Sequence, residues 1–89
     1  MPQVRIPTPL RPHAGGHDVV EAKGSTVDEV LADLGTQYPA LRERIFEGAE
    51  LRRFVNVYVN NEDIRYLDDL ATPVAAGDEV SIIPAVAGG

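Results

Sequence analysis

The sequence predicts a two-layer α+β domain, a mixed sheet of about five strands covered on one face by one main helix. Three observations carry this prediction. "QVRIP" (Gln3–Pro7) near the start and "EVSIIP" near the end both alternate with the period of two that a half-buried strand requires. "STVDEVLADLG" places Val27, Val30, Leu31 and Leu34 at i, i+3, i+4 and i+7, one apolar stripe of a helix. The order is β-β-α-(short α)-β-β-β, a hairpin, a helix and then further strands, which folds most simply as one sheet with the helix against it.

Gln3–Pro7 is the first strand and "HDVVEAKG" (His17–Gly24) the second. The intervening "PTPLRPHAGG" reads as a ragged hairpin loop whose prolines forbid a helix and whose Gly15-Gly16 pair turns the chain. The helix begins near Thr26. Thr26 and Glu29 have capping-box spacing, and Ser25 is an alternative cap. Asp28, Glu29 and Asp33 lie off the apolar stripe, and Gly35 reads as the stop. "PALRERIF" (Pro39–Phe46) is a second short helical stretch, with Pro39 suited to its first turn and Leu41 and Ile45 facing inward.

The strongest strand lies in "RRFVNVYVNNEDIRYL" (Arg52–Leu67). Val55, Val57 and Val59 share one face, and Phe54, Asn56, Tyr58 and Asn60 share the other. Asn60-Asn61 is a turn signal, after which Ile64–Leu67 is expected to return as a short strand. "DDLATPVAAGD" is loop-like, with a tight turn at Ala76-Gly77-Asp78, and Val80 and Ile82 share the inner face of the last strand. If the first and last strands pair at the centre they run parallel, because the helix crossover lies between them. That is the ubiquitin-like β-grasp arrangement. Its expected core is Val27, Val30, Leu31, Leu34, Val55, Val57, Val59, Val80 and Ile82. The expected division is a β-grasp domain over 1–84 and a flexible tail over 85–89.

Composition narrows the functions. A chain of 89 residues has room for one core and no deep internal cleft, so function is expected on the surface, at an end or with a partner. The absence of cysteine excludes disulfides, thiolate metal sites and a cysteine nucleophile. A net charge of −6 disfavours nonspecific nucleic-acid binding. No signal peptide and no apolar run near ~18 residues are visible, so no membrane partner is expected and the default location is the cytoplasm. The charge is uneven. Residues 18–50 carry eight acids against three bases, whereas residues 51–65 carry three arginines against two acids. Such asymmetry can steer a protein partner, or it can be ordinary solubilising charge.

Few residues stand out as chemistry. Phe54 and Tyr58 alternate away from the valines and, with Ile83, form a candidate docking patch on the open sheet face. Cross-strand packing is the competing reading. Arg53, with Arg52 and Arg65, could rim that patch, solvated strand-end charge being the simpler account. His13 and His17 lack a third ligand and are separated by Gly15-Gly16, so no metal is expected. Glu62 and Asp63 have no base or nucleophile beside them, and no general acid–base pair is assigned.

The end of the sequence, "PAVAGG", remains. Gly88 and Gly89 have no Cβ and fit a narrow channel. Ala85 to Gly89 extend at most about 18 Å beyond Pro84. Such a tail can deliver a carboxylate into another protein, or it can be incidental, as many termini are.

From Arg53 to Gly89 the chain resembles the MoaD/ThiS group of ubiquitin-like sulfur carriers, and within it the CysO-type branch. The resemblance rests on the V-N-x-Y-V-N strand, E-D-I-R, L-A-T-x-V, the G-D-E-V turn and the diglycine. "RPHAGG" (Arg11–Gly16) and "GSTVDEVLADL" extend it over nearly the whole chain. It implies a protein co-substrate with no bound cofactor, not an enzyme. A ubiquitin-activating-type adenylyltransferase would use ATP to adenylate the carboxylate of Gly89, and a sulfur donor would convert it to a thiocarboxylate. Gly88 and Ala87 would complete the inserted tail. In the CysO branch the implied partners are a pyridoxal-phosphate-dependent cysteine synthase and a zinc metallopeptidase. Two other functions stay open, the small subunit of a molybdopterin synthase and a plain β-grasp interaction domain.

Overall fold

The computed structural model describes residues 1–84. Five strands form one mixed sheet: β1 (Gln3–Arg5), β2 (Val19–Glu21), β5 (Val55–Val59), β6 (Glu62–Asp63) and β7 (Glu79–Pro84), in the order β2-β1-β7-β5-β6. β1 pairs antiparallel with β2 and parallel with β7, and β7 pairs antiparallel with β5. The central parallel pair is the one that a helical crossover demands. Two helices, α1 (Val27–Gln37) and α2 (Pro39–Ile45), supply the second layer. The fold is the expected β-grasp.

All nine expected core residues are buried, and Leu41, Ile45, Val4, Ile6, Val20, Val74 and Phe46 join them. Each strand contributes alternate residues. β5 shows the pattern directly, with Val55, Val57 and Val59 buried and Asn56 and Tyr58 half-buried on the other face. The start of α1 uses both candidate caps. Thr26 Oγ1 accepts from the Glu29 N–H at 3.2 Å, while Glu29 Oε1 accepts from the Ser25 N–H and hydroxyl, each at 2.9 Å. Gly24 precedes this cap at φ +151°, with Glu29 and Val30 packed against the place where a Cβ would stand.

Four local expectations are corrected. The proline-rich loop is not free of helix: Thr8–Ala14 form a 3-10 helix that buries Leu10 and Ala14. Prolines at its start and at Pro12 exclude an α-helix, yet a short 3-10 turn tolerates them because few of its N–H groups need partners. Gly35 does not stop α1, which runs on to Gln37. Its missing side chain instead admits Arg42 of α2, whose Cβ and Cδ would lie 3.0 Å from a Cβ at Gly35. Ile64–Leu67 do not return as a strand. β6 spans only Glu62–Asp63, after which Ile64–Tyr66 form a 3-10 turn capped by the Asp63 carboxylate. Finally, a small hairpin, β3 (Phe46–Glu47) with β4 (Glu50–Leu51), follows α2 where no element was expected. Two-residue strands give too little alternation to be seen in a sequence.

Gly24→Ala is expected to destabilise the domain by about 1–3 kcal/mol, because alanine at that φ is strained and its Cβ would lie 2.6 Å from the Val30 nitrogen. Val57→Asp should prevent folding, since it would put an unpaired carboxylate in the core. Urea unfolding of the first variant, read as a lower midpoint at unchanged slope, and circular dichroism of the second are the measurements.

Candidate functional site

The site is built where β7 leaves the sheet. Asn60 N–H donates to the Glu79 carbonyl at 2.9 Å, which fixes the phase of the β5–β7 ladder. Hydrogen-bonded and non-bonded pairs then alternate, and Pro84, opposite Val55, falls on a non-bonded pair. Its missing N–H therefore costs nothing on the β5 side. On the β1 side, Gln3 N–H donates to the Asp78 carbonyl at 3.2 Å, and the parallel pairing ends at Arg5 opposite Ser81. The next two rungs would need N–H groups from residues 7 and 84, and both are prolines. The central ladder thus stops from both strands at once.

Side chains around this exit come from three segments. Arg52–Val55 form a turn, closed by Val55 N–H to the Arg52 carbonyl at 3.0 Å, that puts Arg53 and Phe54 just ahead of β5. Phe54 is 48% exposed, and Ile83, opposite Asn56 on the open face, is 47% exposed. An aromatic and a branched aliphatic side chain left this open beside the exit suit docking to a partner. Tyr58 lies further along the same face, opposite Ser81, and is half-buried. Arg53 is exposed and has no carboxylate at ion-pair distance among the described residues. Gly89, Gly88 and Ala87 lie outside the described residues.

The remaining arginines divide. Arg52 does not rim the open face. Its Nε donates to the Glu43 carbonyl at 3.0 Å and its guanidinium lies 3.7 Å from Glu47, tying the β3–β4 hairpin to α2. Arg65 is likewise committed, with Nη2 at 2.9 Å from Asp63 Oδ2 and its own N–H at 2.9 Å from Oδ1. Arg11 was not singled out from the sequence. Its Nε donates to the Ile6 carbonyl at 3.0 Å, which places it at the end of β1 on the side that faces β2. The signal was an arginine among prolines in "RPHAGG", which gains meaning only once that loop folds back on β1.

An open groove of about 730 Å³ runs beside β5, between Leu51 and Ile64, and the buried carboxylate on its wall, Asp63, is already neutralised by Arg65. His13 and His17 belong to no group of three or more metal-ligating side chains among the described residues. No helix in the described residues is long and apolar enough to cross a membrane. What the arrangement presents is an exposed apolar pair, Phe54 and Ile83, beside the end of β7.

Four carboxylates are held below their ordinary range. Asp63 is lowered chiefly by hydrogen bonds from the Arg65 side chain, and Asp78 by the Ala75 N–H and the Asn60 amide. Glu29 is lowered by Ser25, and Asp33 by the Lys23 N–H and Gln37.

Comparison with known proteins agrees with this geometry. The family model described as "ThiS family" matches residues 4–89. Over 89 residues the chain is 51% identical to "Sulfur carrier protein CysO" of Mycobacterium tuberculosis H37Rv, covering 97% of this chain and 96% of that protein. The crystal structure of the Amycolatopsis orientalis BexX/CysO complex contains a chain that superposes with a TM-score of 0.93 at 46% identity, covering 100% of both chains. The solution structure of small archaeal modifier protein 1 from Methanosarcina acetivorans gives 0.88 at 34% identity, covering 99% of this chain and 95% of that one.

Because those four carboxylates titrate lower in the folded chain, their contribution to stability is complete above their unfolded values, near 3.8 for aspartate and 4.5 for glutamate. It is lost as pH falls through the folded values. The melting temperature should be flat from neutral pH down to about 5 and fall below about 4. Asp63→Asn should lower the neutral-pH value and shallow the acid fall. A melt series across pH on both proteins checks this.

Proposed function

We propose, for a chain that belongs to the ThiS family, that it works as a sulfur carrier through the main-chain carboxylate of Gly89. A carboxylate is a poor electrophile. Adenylation by a ubiquitin-activating-type enzyme, with ATP consumed and pyrophosphate released, turns it into an acyl phosphate that sulfur can attack. Displacement of AMP leaves a thiocarboxylate, which passes its sulfur to an acceptor. The observation that carries this reading is the exit of β7, a central strand ended by Pro7 and Pro84, in a family match that runs on to residue 89. Gly88 and Ala87 supply the slim approach to the reacting carbon.

The likeness to CysO favours cysteine biosynthesis as the destination of the sulfur. The acceptor would then be activated serine on a pyridoxal-phosphate-dependent synthase, with a zinc peptidase releasing cysteine from the tail. That a related carrier was solved in complex with BexX supports partner docking as the way such a chain is used. Phe54, Ile83 and Tyr58 are the docking surface we assign, with Arg53 at its edge. In this reading the chain is a co-substrate. ATP belongs to the activating enzyme, and the small-subunit and plain-interaction readings are the alternatives the experiment separates.

Deleting Gly89 should leave the melting temperature almost unchanged, since one terminal residue makes few contacts. The same deletion should abolish sulfur transfer to the chain, because near-attack geometry tolerates only about 1 Å of misplacement. Intact mass after incubation with the cognate activating enzyme, ATP and sulfide shows sulfur in place of oxygen on the wild type alone. A deletion variant that gains sulfur equally well would sink the assignment. Removing Phe54 and Ile83 together as alanines should preserve the fold and weaken binding to the activating enzyme by about tenfold or more, equivalent to roughly 1–2 kcal/mol or more. Calorimetry showing equal affinity would move the docking surface elsewhere.

A further inference from the structure

We propose that the first half of β5, at the bottom of the groove beside it, takes up an extended segment of a partner protein as an added strand, a segment that carries aliphatic side chains beside a basic one. This surface is separate from Phe54, Tyr58 and Ile83, and its use does not depend on the chemistry of Gly89.

The two outer edges of the sheet are built differently. At the β2 edge, Ala22 N–H donates to the Pro2 carbonyl at 3.1 Å and Ile6 N–H to the Asp18 carbonyl at 2.7 Å. Alternation then turns the Glu21 carbonyl outward, where Gln37 Nε2 of α1 donates to it at 2.9 Å. A side chain bonded to an outward carbonyl blunts that edge against further pairing.

The opposite edge is only half covered. β6 pairs with Tyr58 and Val59 and reaches no further along β5. The ladder phase set by Asn60 and Glu79 turns the backbone groups of Val55 and Val57 away from β7. Val55 N–H closes the turn to Arg52, and the Ile64 carbonyl, next in line after β6, accepts from Leu67 N–H at 2.9 Å. The Val55 carbonyl and the Val57 N–H therefore face the groove with no strand opposite them. This acceptor and donor flank Asn56. A parallel strand meets both with one residue, and an antiparallel strand with two. Main-chain bonds of this kind give affinity in strand addition, and the walls of the groove give specificity.

Those walls are mixed. Leu51 of β4 and Leu70 of the 3-10 turn Asp69–Ala71 are half-buried and line the groove, whose volume of about 730 Å³ suits a short segment with aliphatic side chains. Among the charges on it, Arg65 is paired with Asp63 and Arg52 with Glu47. Glu50, Asp69 and Arg53 have no ion-pair partner among the described residues, so unpaired carboxylates outnumber unpaired cations. Asp69 stands at φ +50°, in the left-handed region where glycine is less strained, and its carboxylate makes no hydrogen bond among the described residues. The whole chain carries a charge of −6, which draws a basic segment and repels an acidic one. A second copy of this chain brings the same charge and is disfavoured as the occupant.

The test uses the full chain. A phage library of random heptapeptides is panned on it, and an enriched peptide is synthesised with blocked ends and titrated into the isotope-labelled protein, followed by NMR. Enriched sequences should combine valine, isoleucine or leucine with lysine or arginine. Titration should shift the amides of Val55, Asn56, Val57, Leu51 and Leu70 and slow hydrogen exchange at the Val57 N–H. Methylating the peptide's backbone nitrogens one at a time leaves its side chains intact, and at one position or more it should weaken binding about tenfold. Asp69→Asn, a change the left-handed backbone accepts, should keep the melting temperature and weaken binding about two- to fivefold. No enrichment, or enrichment of acidic sequences, would overturn the proposal. So would shifts confined to Phe54, Tyr58 and Ile83, or methylation without effect. The same amide shifts on raising protein concentration alone would give the groove to a second copy and reject the partner segment.

Discussion

Gln3, Val4 and Arg5 pair in parallel with Glu79, Val80 and Ser81, and on this short central ladder the rest of the molecule depends. A parallel pair cannot be joined by a tight turn, so the chain between the two strands has to include a crossover over one face of the sheet. The crossover carries α1 and α2, whose apolar sides bury Val27, Val30, Leu31, Leu34, Leu41 and Ile45 against the valines of β5 and β7. The same pairing fixes polarity. β1 and β7 run the same way, so both end at one pole, where Pro7 and Pro84 halt the ladder together.

That polarity also decides what surrounds the end of β7. Strand β7 is held on both sides along its first half and by β5 alone at its end. Pro84 is paired with Val55 alone, and the end of β7 is framed by groups positioned on well-packed elements. Phe54 comes from the turn before β5 and Ile83 from β7 itself. Among the described residues no group of three or more metal-ligating side chains is assembled.

Charge is distributed with the same polarity. The segments that lead to the exit bring arginine, whereas the turn at the other end of β7 brings Asp78 and Glu79, with Asp78 held ionised by Ala75 and Asn60. Buried polar groups are few. Asp63, at 8% exposure, is matched by Arg65 in two-point contact, and the β6 edge is closed by that pair in place of further strand. Beside the short β6, Ile64 and Leu70 line the groove together with Val55 and Val57 of β5.

The sequence by itself determined the β-grasp order, the helix stripe, the valine face of β5 and the parallel centre, because each follows from a local period or from connectivity. The capping residues Thr26 and Glu29 were legible for the same reason, their spacing being set by one helical turn. The open-face positions of Phe54 and Ile83 followed from alternation alone. Tertiary structure decided the rest. Gly35 reads as a helix stop, yet it is a contact point for Arg42, and only the packing of α2 distinguishes the two. Thr8–Ala14 look like a loop until Leu10 and Ala14 find a core to enter. Ile64 has strand-like neighbours, but the Asp63 carboxylate caps a 3-10 turn there instead. The halting of the β1–β7 ladder by Pro7 from one strand and Pro84 from the other involves residues far apart in the chain, and no local pattern encodes a juxtaposition that only the closed sheet creates.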